Sequence, residues 1–365
     1  MTGRGMPVVE NHRHVLPPLT FARMVIVCFG TRPEIIKMAP VISALQAQGV
    51  PFRTVFTGQH PDLYRDVSAL IPPPDFHAVF DAPAASLSDS LARSLRWLDE
   101  LFTREKPRLV VAQGDTSTVL AAAMAAFYRQ IPFGHVEAGL RTYDLGQPFP
   151  EEAIRQQVSR LATLHWAPTQ RAADNLEREG ILNHVEITGN TIVDICQSFG
   201  LQAEYGNQVL VTLHRRENHG EAFERLAAQL QQLAGAHPEL DFVFPMHPNP
   251  AVQRLKDRLG KLRVVAPLPY PELLKVLSQA RFVISDSGGI QEECGVFGKK
   301  ILVCRQFTER PEGVEAGFAR LVGDDLSGHF DWANDAPRWS GANPYGDGQA
   351  SRRIVASIRR FLNIV

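Results

Sequence analysis

Three acidic residues have the side-chain type and the position that acid–base chemistry needs. Asp115 and Glu137 each follow a predicted strand, and Glu151 begins a helical stretch after a Pro-Phe-Pro segment. Clustered carboxylates raise one another's pKa, so this set can supply a general acid or a general base. For Glu151 the alternative is a structural role, because acidic residues favour the first turn of a helix. No spacing of histidines and carboxylates matches a metal motif, so we expect no metal.

A second group of residues has the pattern of a phosphate-binding loop. Asp286-Ser287-Gly288-Gly289 lies between an apolar strand-like run and a helical stretch. Two glycines at a helix N-terminus expose backbone N–H groups and the positive end of the helix dipole, which suits a diphosphate. Glu293, one helical turn further on, is a candidate for binding the hydroxyl pair of a ribose. The alternative is an ordinary serine N-cap with a flexible loop before it.

Two basic residues and a histidine add to these candidates. Arg32 and Lys37 follow the first predicted strand, and a guanidinium fork and an ammonium group both suit a phosphate. The alternative is a surface loop that Glu34 caps. His214 follows another predicted strand and has two arginines beside it. This position favours a functional role for His214, although single histidines are more often structural.

The elements that must position these residues alternate between strands and helices. Short runs rich in β-branched residues end in loops, and stretches of helical periodicity follow, which is typical of βαβ units with a mostly parallel sheet. The predicted strands are 25–29, 52–56, 109–112, 132–136, 185–188, 209–213, 242–245, 282–285 and 301–303, and the predicted helices are 35–46, 88–104, 117–128 and 350–362. Ligands of such sheets bind at the carboxyl ends of the strands. Polar residues follow seven predicted strands at this end: Arg32, His60, Asp115, Glu137, His214, His247 and Ser287. His135 and His165 lie within strands instead, so we interpret them as core or supporting residues.

The strand–helix pattern stops and restarts, which predicts two domains. We expect an α/β protein with two Rossmann-like, doubly wound domains that face a common cleft. The first domain is predicted to span residues 24–188 and the second residues 189–345. Residues 346–365 are predicted to form a C-terminal helix that packs back on the first domain. Met24 stands directly before the first predicted strand, so residues 1–23 are predicted to be an N-terminal extension.

The composition excludes several classes of protein. The 365 residues include 38 Lys and Arg and 39 Asp and Glu, so there is no basic excess that would indicate a nucleic-acid partner. The longest apolar run, residues 119–127, is far shorter than the roughly 20 residues of a membrane span, and we expect no membrane contact. The first 23 residues lack the apolar segment of a secretion signal. The four cysteines form no C-x-x-C pair, which favours buried thiols in a reducing compartment. We therefore expect a cytoplasmic protein.

Two nucleotide-binding fingerprints are missing from the sequence. No G-x-G-x-x-G follows a predicted strand, and no G-x-x-x-x-G-K-[ST] occurs. A bound nicotinamide cofactor and a P-loop that hydrolyses ATP are therefore not expected. We expect the protein to work without a cofactor.

Nine motifs together resemble those of the non-hydrolysing UDP-N-acetylglucosamine 2-epimerases. They occur in the order of that family, over a resemblance that runs from residue 24 to about residue 363. The motifs are GTRPEIIKMAP (30–40), QGDT (113–116), HVEAGLRT (135–142), PFPEE (148–152), TGNT (188–191), HRREN (214–218), DSGGIQEE (286–293), ERPEG (309–313) and NPYGDG (343–348). Such a series is very specific for the superfamily.

The resemblance implies a fold, an activity and a set of site residues. The fold is the two-domain GT-B fold, and the assembly is a homodimer. The alanine-rich helix 117–128, together with the segment after it, is our candidate for the packing face. The activity is the interconversion of UDP-GlcNAc and UDP-ManNAc by elimination and re-addition of UDP, for the supply of polysaccharide precursors. The residues that match proposed catalytic residues are Asp115, Glu137, Glu151 and His214. Those that match nucleotide-sugar contacts are Arg32, Lys37, His247, Ser287, Gly288, Gly289, Glu293 and Arg310.

Several residues depart from the pattern of the family, mostly near the sugar end of the expected site. They are Tyr143, Gly146, Gln147, Ile154, Cys294, Gly295, Gln306 and Phe307. These departures leave open the exact sugar, which could be another UDP-2-acetamido sugar. Three further alternatives are a hydrolysing epimerase that releases ManNAc, a GT-B glycosyltransferase, and a sensor that binds without turnover. The presence of all four candidate catalytic residues argues against the sensor. Gln59 and His60 match the place where the resemblance implies a second, regulatory UDP-GlcNAc, but Pro61-Asp62 differ from the usual continuation.

Overall fold

The structure is a computed structural model. It describes residues 24–58, 70–80, 84–214, 220–246, 250–253 and 256–364. The chain divides into two compact units. The first unit ends at Ile195 and takes up the chain again at Gly346, and the second unit runs from Cys196 to Tyr345. No helix within the described ranges is long and apolar enough to cross a membrane.

The first unit extends further along the chain than the sequence predicts. The predicted boundary follows residue 188, and the observed boundary follows Ile195. Two side chains of this stretch bond to the first unit. Asn190 donates to a carboxylate of that unit at 2.8 Å, and Asp194 accepts from the backbone N–H groups of Ala350 and Ser351 at 3.1 and 2.8 Å. These bonds hold residues 189–195 and the start of the C-terminal helix on the same unit.

The elements have the following bounds in chain order. The strands are β1 Val25–Phe29, β2 Phe52–Phe56, β3 Phe76–His77, β4 Leu109–Gln113, β5 Phe133–Val136, β6 Leu164–Ala167, β7 Val185–Ile187, β8 Gln208–Thr212, β9 Asp241–Pro245, β10 Arg263–Val265, β11 Phe282–Ser285, β12 Ile301–Val303 and β13 Ala319–Leu321. The helices are α1 Arg32–Ala47, α2 Leu87–Glu105, α3 Ser117–Tyr128, α4 Glu151–Leu161, α5 Gln170–Arg178, α6 Thr191–Ser198, α7 Glu221–Ala236, α8 Pro250–Gln253, α9 Tyr270–Gln279, α10 Gly288–Val296, α11 Pro311–Glu315, α12 Phe330–Asn334 and α13 Ala350–Leu362.

Each unit contains one parallel sheet. The strand order is β3-β2-β1-β4-β5-β6-β7 in the first unit and β10-β9-β8-β11-β12-β13 in the second. Neighbouring strands are parallel throughout both sheets. In each sheet the strand numbers fall to one strand and then rise again, so the direction in which the chain adds strands reverses once. We call this point the reversal; it lies between β1 and β4 in the first sheet and between β8 and β11 in the second. This topology confirms the predicted doubly wound α/β class, and it places ligand sites at the carboxyl ends of these four strands.

The central strands are buried on both faces, as a parallel sheet requires. All five residues of β1 are buried, and so are all five of β4. On one face of the first sheet, Ile26 and Cys28 belong to a cluster with Trp97 and Leu98 of α2. The four cysteines are all buried thiols, as the sequence predicts. Since the strand interiors are occupied by packing, only the loops at their ends are available for chemistry.

The alanine-rich helix α3 is part of the core and not a surface for another chain. Its residues from Ser117 to Ala126 are buried or half-buried, and its apolar side chains share a cluster with those of α2 and α4. Small side chains let the helix approach the sheet and its neighbours closely. Only Phe127 and Tyr128, at its end, are exposed. The predicted packing face is therefore wrong for most of this helix.

Two histidines are buried side by side in the first sheet. His135 of β5 and His165 of β6 are register partners in neighbouring strands. His135 Nε2 lies 2.7 Å from the carbonyl oxygen of Gly114, so this nitrogen carries the proton and donates it. Burial lowers the pKa of each imidazole to about 4. Both rings are therefore neutral in the folded protein near pH 7, which fits the predicted core or supporting role.

We expect these histidines to make the fold sensitive to acid. Their pKa in the unfolded chain is near 6.5, and in the folded protein it is about 4. Between these values the unfolded state binds more protons, so the free energy of unfolding falls as the pH decreases. At 1.36 kcal/mol per pKa unit, each ring removes roughly 2 kcal/mol between pH 7 and pH 5. In denaturant titrations, the wild type should lose stability more steeply than His165→Asn.

The control for this comparison is His184→Asn, which changes an exposed histidine of the same unit. Its stability should follow that of the wild type at both pH values. A difference between the wild type and His165→Asn that stays constant from pH 7 to pH 5 would contradict a neutral buried ring.

Candidate active site

At the reversal in the first sheet, a buried carboxylate joins the loops after β1 and β4. Glu34, in the first turn of α1, accepts from the backbone N–H groups of Gly30 and Thr31 at 2.8 and 2.6 Å. Its second oxygen accepts from the hydroxyl of Thr116 at 2.6 Å. Glu34 thus caps its loop, but it is only 1% exposed, so the alternative of a plain surface loop is wrong. Arg32, the first residue of α1, is half-buried.

Glu137 follows β5, the neighbour of β4, and two donors hold its carboxylate. Lys37 of α1 and Asn190 both donate to Oε2, and the distance from Asn190 Nδ2 is 2.8 Å. All three side chains are buried. Glu137 has a φ of 66°, in the left-handed region that favours glycine. A glutamate in this conformation stores strain that its contacts must maintain, and such strain clusters at functional sites.

Asp115 follows β4 and pairs with an arginine that the sequence analysis missed. Arg155 Nε and Nη2 lie 2.8 and 2.5 Å from Asp115 Oδ2. Arg155 also lies 3.5 Å from Glu152 Oε2, and both of these side chains are buried. Since Arg155 is one turn after Glu151 on α4, the ion pair brings the helix that Glu151 begins to Asp115. The spacing of Glu152 and Arg155 in the sequence indicates their own i,i+3 pair, but it does not indicate the contact of Arg155 with Asp115.

At the reversal in the second sheet, a buried aspartate holds His214. Asp286 follows β11, and its two oxygens lie 3.1 and 2.9 Å from the backbone N–H nitrogen of His214. Its Oδ1 also lies 3.4 Å from His214 Nδ1. The carboxylate is fully buried, whereas the imidazole is about one-third exposed. A carboxylate at one ring nitrogen fixes the orientation of a histidine, so Asp286 positions His214 from below the surface.

The phosphate-type loop follows β11 at the same reversal. Ser287 is the N-cap of α10, and within the described residues its hydroxyl makes no capping bond, unlike an ordinary serine cap. Its backbone N–H donates to Ser285 Oγ at 2.9 Å. A Cβ placed on Gly289 would have no described atom within 4 Å. The start of α10 is therefore small and open beside the positive end of the helix dipole, as an anion site requires.

Arg310 packs against the start of this helix. Its Nε donates to Glu292 at 2.6 Å, and its Nη1 donates to Glu309 at 2.5 Å. Glu309 also accepts from Arg305 at 2.9 Å, and all four side chains are buried. A Cβ on Gly288 would lie 2.5 Å from Arg310 Nη1. A side chain at position 288 would therefore have to displace the guanidinium, which its two carboxylate partners hold in place, and the guanidinium brings positive charge to the first residue of α10.

Glu293 is buried in α10 and is oriented by a tyrosine. Tyr270, at the start of α9, donates its hydroxyl to Glu293 Oε1 at 3.1 Å. The same hydroxyl lies 3.6 Å from Cys196 Sγ. Burial raises the pKa of Tyr270 well above its ordinary value, so the hydroxyl keeps its proton for this bond. Sequence reasoning did not find Tyr270, because nothing in its own segment indicates a contact with α10.

The departures from the family pattern occupy different environments. Tyr143, at a position where the family usually has glycine, has a φ of 62°, and its hydroxyl donates to Asn175 Oδ1 at 3.3 Å. Ile154 is buried in the cluster of α2 and α3, so this departure belongs to the core and not to a sugar site. Phe307 is 60% exposed in the loop after β12.

Three candidates lie outside the described residues, namely Gln59, His60 and His247. In the first unit, Arg32 and Lys37 lie in α1 after β1, and Asp115 follows β4, so these three lie at the reversal in the strand order. Glu137 follows β5 and is linked to this group by Lys37, and Glu151 begins α4, whose Arg155 pairs with Asp115. In the second unit, His214 follows β8, the residues Ser287, Gly288, Gly289 and Glu293 follow β11, and Arg310 packs against Gly288. In neither described unit do three or more histidine, cysteine or acidic side chains gather as a metal site would need.

Comparison with known proteins shows which family the chain resembles. The sequence model of the family described as UDP-N-acetylglucosamine 2-epimerase matches residues 43–359. The UDP-N-acetylglucosamine 2-epimerase of Escherichia coli is 38% identical over 370 residues, which cover 92% of this chain and 98% of that protein. The enzyme of the same name from Campylobacter jejuni is 37% identical, with 91% and 96% covered. A crystal structure of UDP-GlcNAc 2-epimerase from Neisseria meningitidis bound to UDP-GlcNAc superposes with a TM-score of 0.86 at 36% identity, covering 92% of this chain and all of that one.

The fold and the two reversals define a two-domain α/β protein of the GT-B type, with conserved architecture in its structural neighbours. The family match and the identity over nearly the whole chain make the assignment more specific. The chain belongs to the UDP-N-acetylglucosamine 2-epimerase family. The family and the class of enzyme that the motifs predict are thereby confirmed.

We expect alanine to act differently at two adjacent glycines. Gly288→Ala places a methyl group 2.5 Å from Arg310 Nη1 and must displace a buried guanidinium. Overpacking of this kind lowers the free energy of unfolding by about 1–3 kcal/mol. Gly289→Ala meets no described atom within 4 Å, and alanine is favoured over glycine in helices by up to about 1 kcal/mol. Denaturant unfolding should therefore show a lower free energy of unfolding for Gly288→Ala than for the wild type, and no decrease for Gly289→Ala. Equal stability of the two variants would contradict the packing of Arg310 against Gly288.

Proposed function

We propose that this protein inverts C2 of UDP-GlcNAc and so interconverts UDP-GlcNAc and UDP-ManNAc. The observation that carries the proposal is the environment of Glu137. Its carboxylate is buried at a strand end, is held by Lys37 and Asn190, and sits on a left-handed backbone. A proton acceptor fixed in this way is what abstraction of a carbon-bound proton needs. Membership of the family supports the choice of substrate.

The proposed reaction has two halves. In the first half, a carboxylate takes the C2 proton, the C–H electron pair forms a C1=C2 double bond, and the C1–O bond breaks so that UDP leaves with its electrons. The intermediate is a 2-acetamidoglucal. In the second half, UDP bonds to C1 again and a proton is delivered to the opposite face of C2. Electrons are neither gained nor lost overall, so the reaction itself requires no redox cofactor.

Loss of UDP is what makes the proton removable. The C2 proton of a sugar is not acidic, because no carbonyl group adjoins that carbon. In the gluco form the C2 hydrogen and the α-phosphate are both axial and opposed, which aligns them for anti elimination. We assign the proton transfers to Asp115, Glu137 and Glu151, without choosing which of them takes the C2 proton. Charge that develops on the departing UDP would be stabilised by His214 and Arg32.

We assign the nucleotide to residues of the second unit. The start of α10 would bind the diphosphate through backbone N–H groups and the helix dipole, and the buried charge of Arg310 would add to this attraction. Glu293, held by Tyr270, would bind the hydroxyl pair of the ribose. The complete set that we assign to the nucleotide sugar is Arg32, Lys37, His247, Ser287, Gly288, Gly289, Glu293 and Arg310.

The assembly and the setting of the protein belong to the same proposal. We propose a homodimer, for which the exposed Phe127 and Tyr128 offer apolar surface, and light scattering measures its mass directly. We propose a cytoplasmic location, which agrees with four buried thiols without a disulfide. We also propose the biological role that the resemblance implies, which is to supply UDP-ManNAc for polysaccharide synthesis.

Proton NMR of UDP-GlcNAc with the protein in deuterated water tests the reaction. We expect deuterium to enter C2 while the sugar remains attached to UDP in the final mixture, because the proton lost in the first half exchanges with solvent before the second. No acceptor is added, so product formation also separates an epimerase from a glycosyltransferase.

Each other result of this experiment identifies an alternative. Epimerisation with protium retained at C2 would exclude the elimination mechanism. Free UDP in amounts equal to the ManNAc formed would indicate the hydrolysing reaction. Binding without any product would indicate a sensor, and turnover of a different UDP-2-acetamido sugar would indicate that the substrate differs from UDP-GlcNAc.

Substitutions should separate proton transfer from nucleotide binding. Asp115→Asn and Glu137→Gln should each lower kcat by about 10²–10⁴-fold, because each removes a candidate acid or base. Glu293→Ala should act mainly on KM, since a ribose contact contributes equally to the ground and transition states. Steady-state kinetics together with calorimetric titration of UDP measure both effects.

The control is Glu179→Gln, which changes a carboxylate of the first unit that pairs with Arg141 and is not among the candidate site residues. Its kcat should stay near the wild-type value. If Asp115→Asn and Glu137→Gln also turn over at the wild-type rate, the assignment of acid–base chemistry to these carboxylates is wrong.

A further inference from the structure

We propose that Glu34 is a positioning residue that locks the loop after β1 to the loop after β4 and thereby fixes Asp115. The consequence for turnover rests on the proposed function, whereas the lock itself is a property of the fold. Arg32 and Lys37 lie in the same helix as Glu34, and Thr116 follows Asp115 directly. One carboxylate therefore connects the two loops that carry the candidates of the first reversal.

The contact between the loops is direct and buried. Glu34 Oε2 accepts from the N–H groups of Gly30 and Thr31 at 2.8 and 2.6 Å, which is a local cap of α1. Its Oε1 accepts from Thr116 Oγ1 at 2.6 Å, over a separation of 82 residues. A helix cap needs only the local bonds. The bond to Thr116 is additional, and it acts on the segment that holds Asp115.

Close packing of the backbone supports the same lock. A Cβ on Gly30 would lie 2.1 Å from Thr118 Oγ1 and 2.4 Å from Thr57 Oγ1, and these two hydroxyls are 2.8 Å apart. The loop after β1 therefore lies against the first turn of α3, which begins directly after the loop that contains Asp115. The two segments are therefore in contact at two points, namely Gly30 against the Thr118 side chain and Glu34 against the Thr116 hydroxyl.

A buried carboxylate is also a costly way to cap a helix. In the same unit, α2, α3 and α5 are capped by the hydroxyls of Ser86, Thr116 and Thr169. Burial opposes the charged form of Glu34 and raises its pKa from 4.5 to about 7, against the effect of its hydrogen bonds. Buried groups with such shifts cluster at functional sites. The cost favours a role for Glu34 beyond that of a cap.

Thr116→Val tests the lock, because it removes the hydroxyl that bonds Glu34 at nearly constant shape. We expect kcat to fall by about 10–100-fold through misplacement of Asp115. KM should change by less than about threefold, since the contacts that we assign to the second unit remain. Thr116→Ser keeps the hydroxyl and should restore turnover. Thr169→Val is the matched control, because it removes a hydroxyl cap of the same unit and should leave kcat unchanged.

A double-mutant cycle shows whether Glu34 acts through Thr116. The cycle combines Glu34→Ala with Thr116→Val. If the lock is correct, the double variant should lose no more kcat than the more damaging single variant. Losses that multiply would mean that the two residues act independently, and this outcome would overturn the proposal.

Amide hydrogen exchange tests the lock without reference to activity. The N–H groups of Gly30 and Thr31 should exchange faster in Thr116→Val than in the wild type, and at the wild-type rate in Thr169→Val. Unchanged exchange in Thr116→Val would overturn the lock. If the two N–H groups exchange faster in Thr116→Val, but the wild-type protein does not turn over UDP-GlcNAc, the lock is supported and the proposed function is overturned.

Discussion

Both sheets consist entirely of parallel strands, and this constraint determines where polar residues can act. Helices cover both faces of such a sheet, so the strand interiors are committed to apolar packing. The strand order must reverse where the chain changes direction across the sheet, and the loops on either side of that point diverge and leave space. The reversals lie between β1 and β4 and between β8 and β11. Asp115 and the Glu34 loop occupy the first, and His214 and the Ser287 loop occupy the second.

At both reversals the candidate charges are held by partners of opposite charge or by hydrogen-bond donors. Glu137 accepts from Lys37, Asp115 pairs with Arg155, and Asp286 faces His214. An ionised side chain that is buried alone costs several kcal/mol, so these pairs are a condition for placing carboxylates there at all. The same pairs fix each group in one geometry before any ligand binds, which is the arrangement that electrostatic catalysis uses.

The local pattern of the sequence predicted the fold better than it predicted the contacts of the site. It located β1, β11, β12, α3 and α13 with their observed bounds, because long apolar runs and helical periodicity are strong local signals. It started α1 three residues late, at Ile35, and it passed over the short, partly exposed strands β10 and β13, which lack an apolar run. The partners of the candidates were missed for a different reason. Arg155 reaches Asp115 across 40 residues, and Asn190 reaches Glu137 across 53, and no local pattern encodes such contacts.

Under the proposed function, the two units meet different chemical demands with different means. A diphosphate is always anionic, so backbone N–H groups, a helix dipole and a buried guanidinium suffice, and none of them has to change its charge. Proton transfer demands carboxylates whose position and charge are both controlled, and these must come from side chains. That difference explains why the second unit presents small residues such as Gly289 at its reversal. It also explains why the first unit buries the charged side chains Glu34, Lys37 and Glu137, each with hydrogen-bond partners that fix its position.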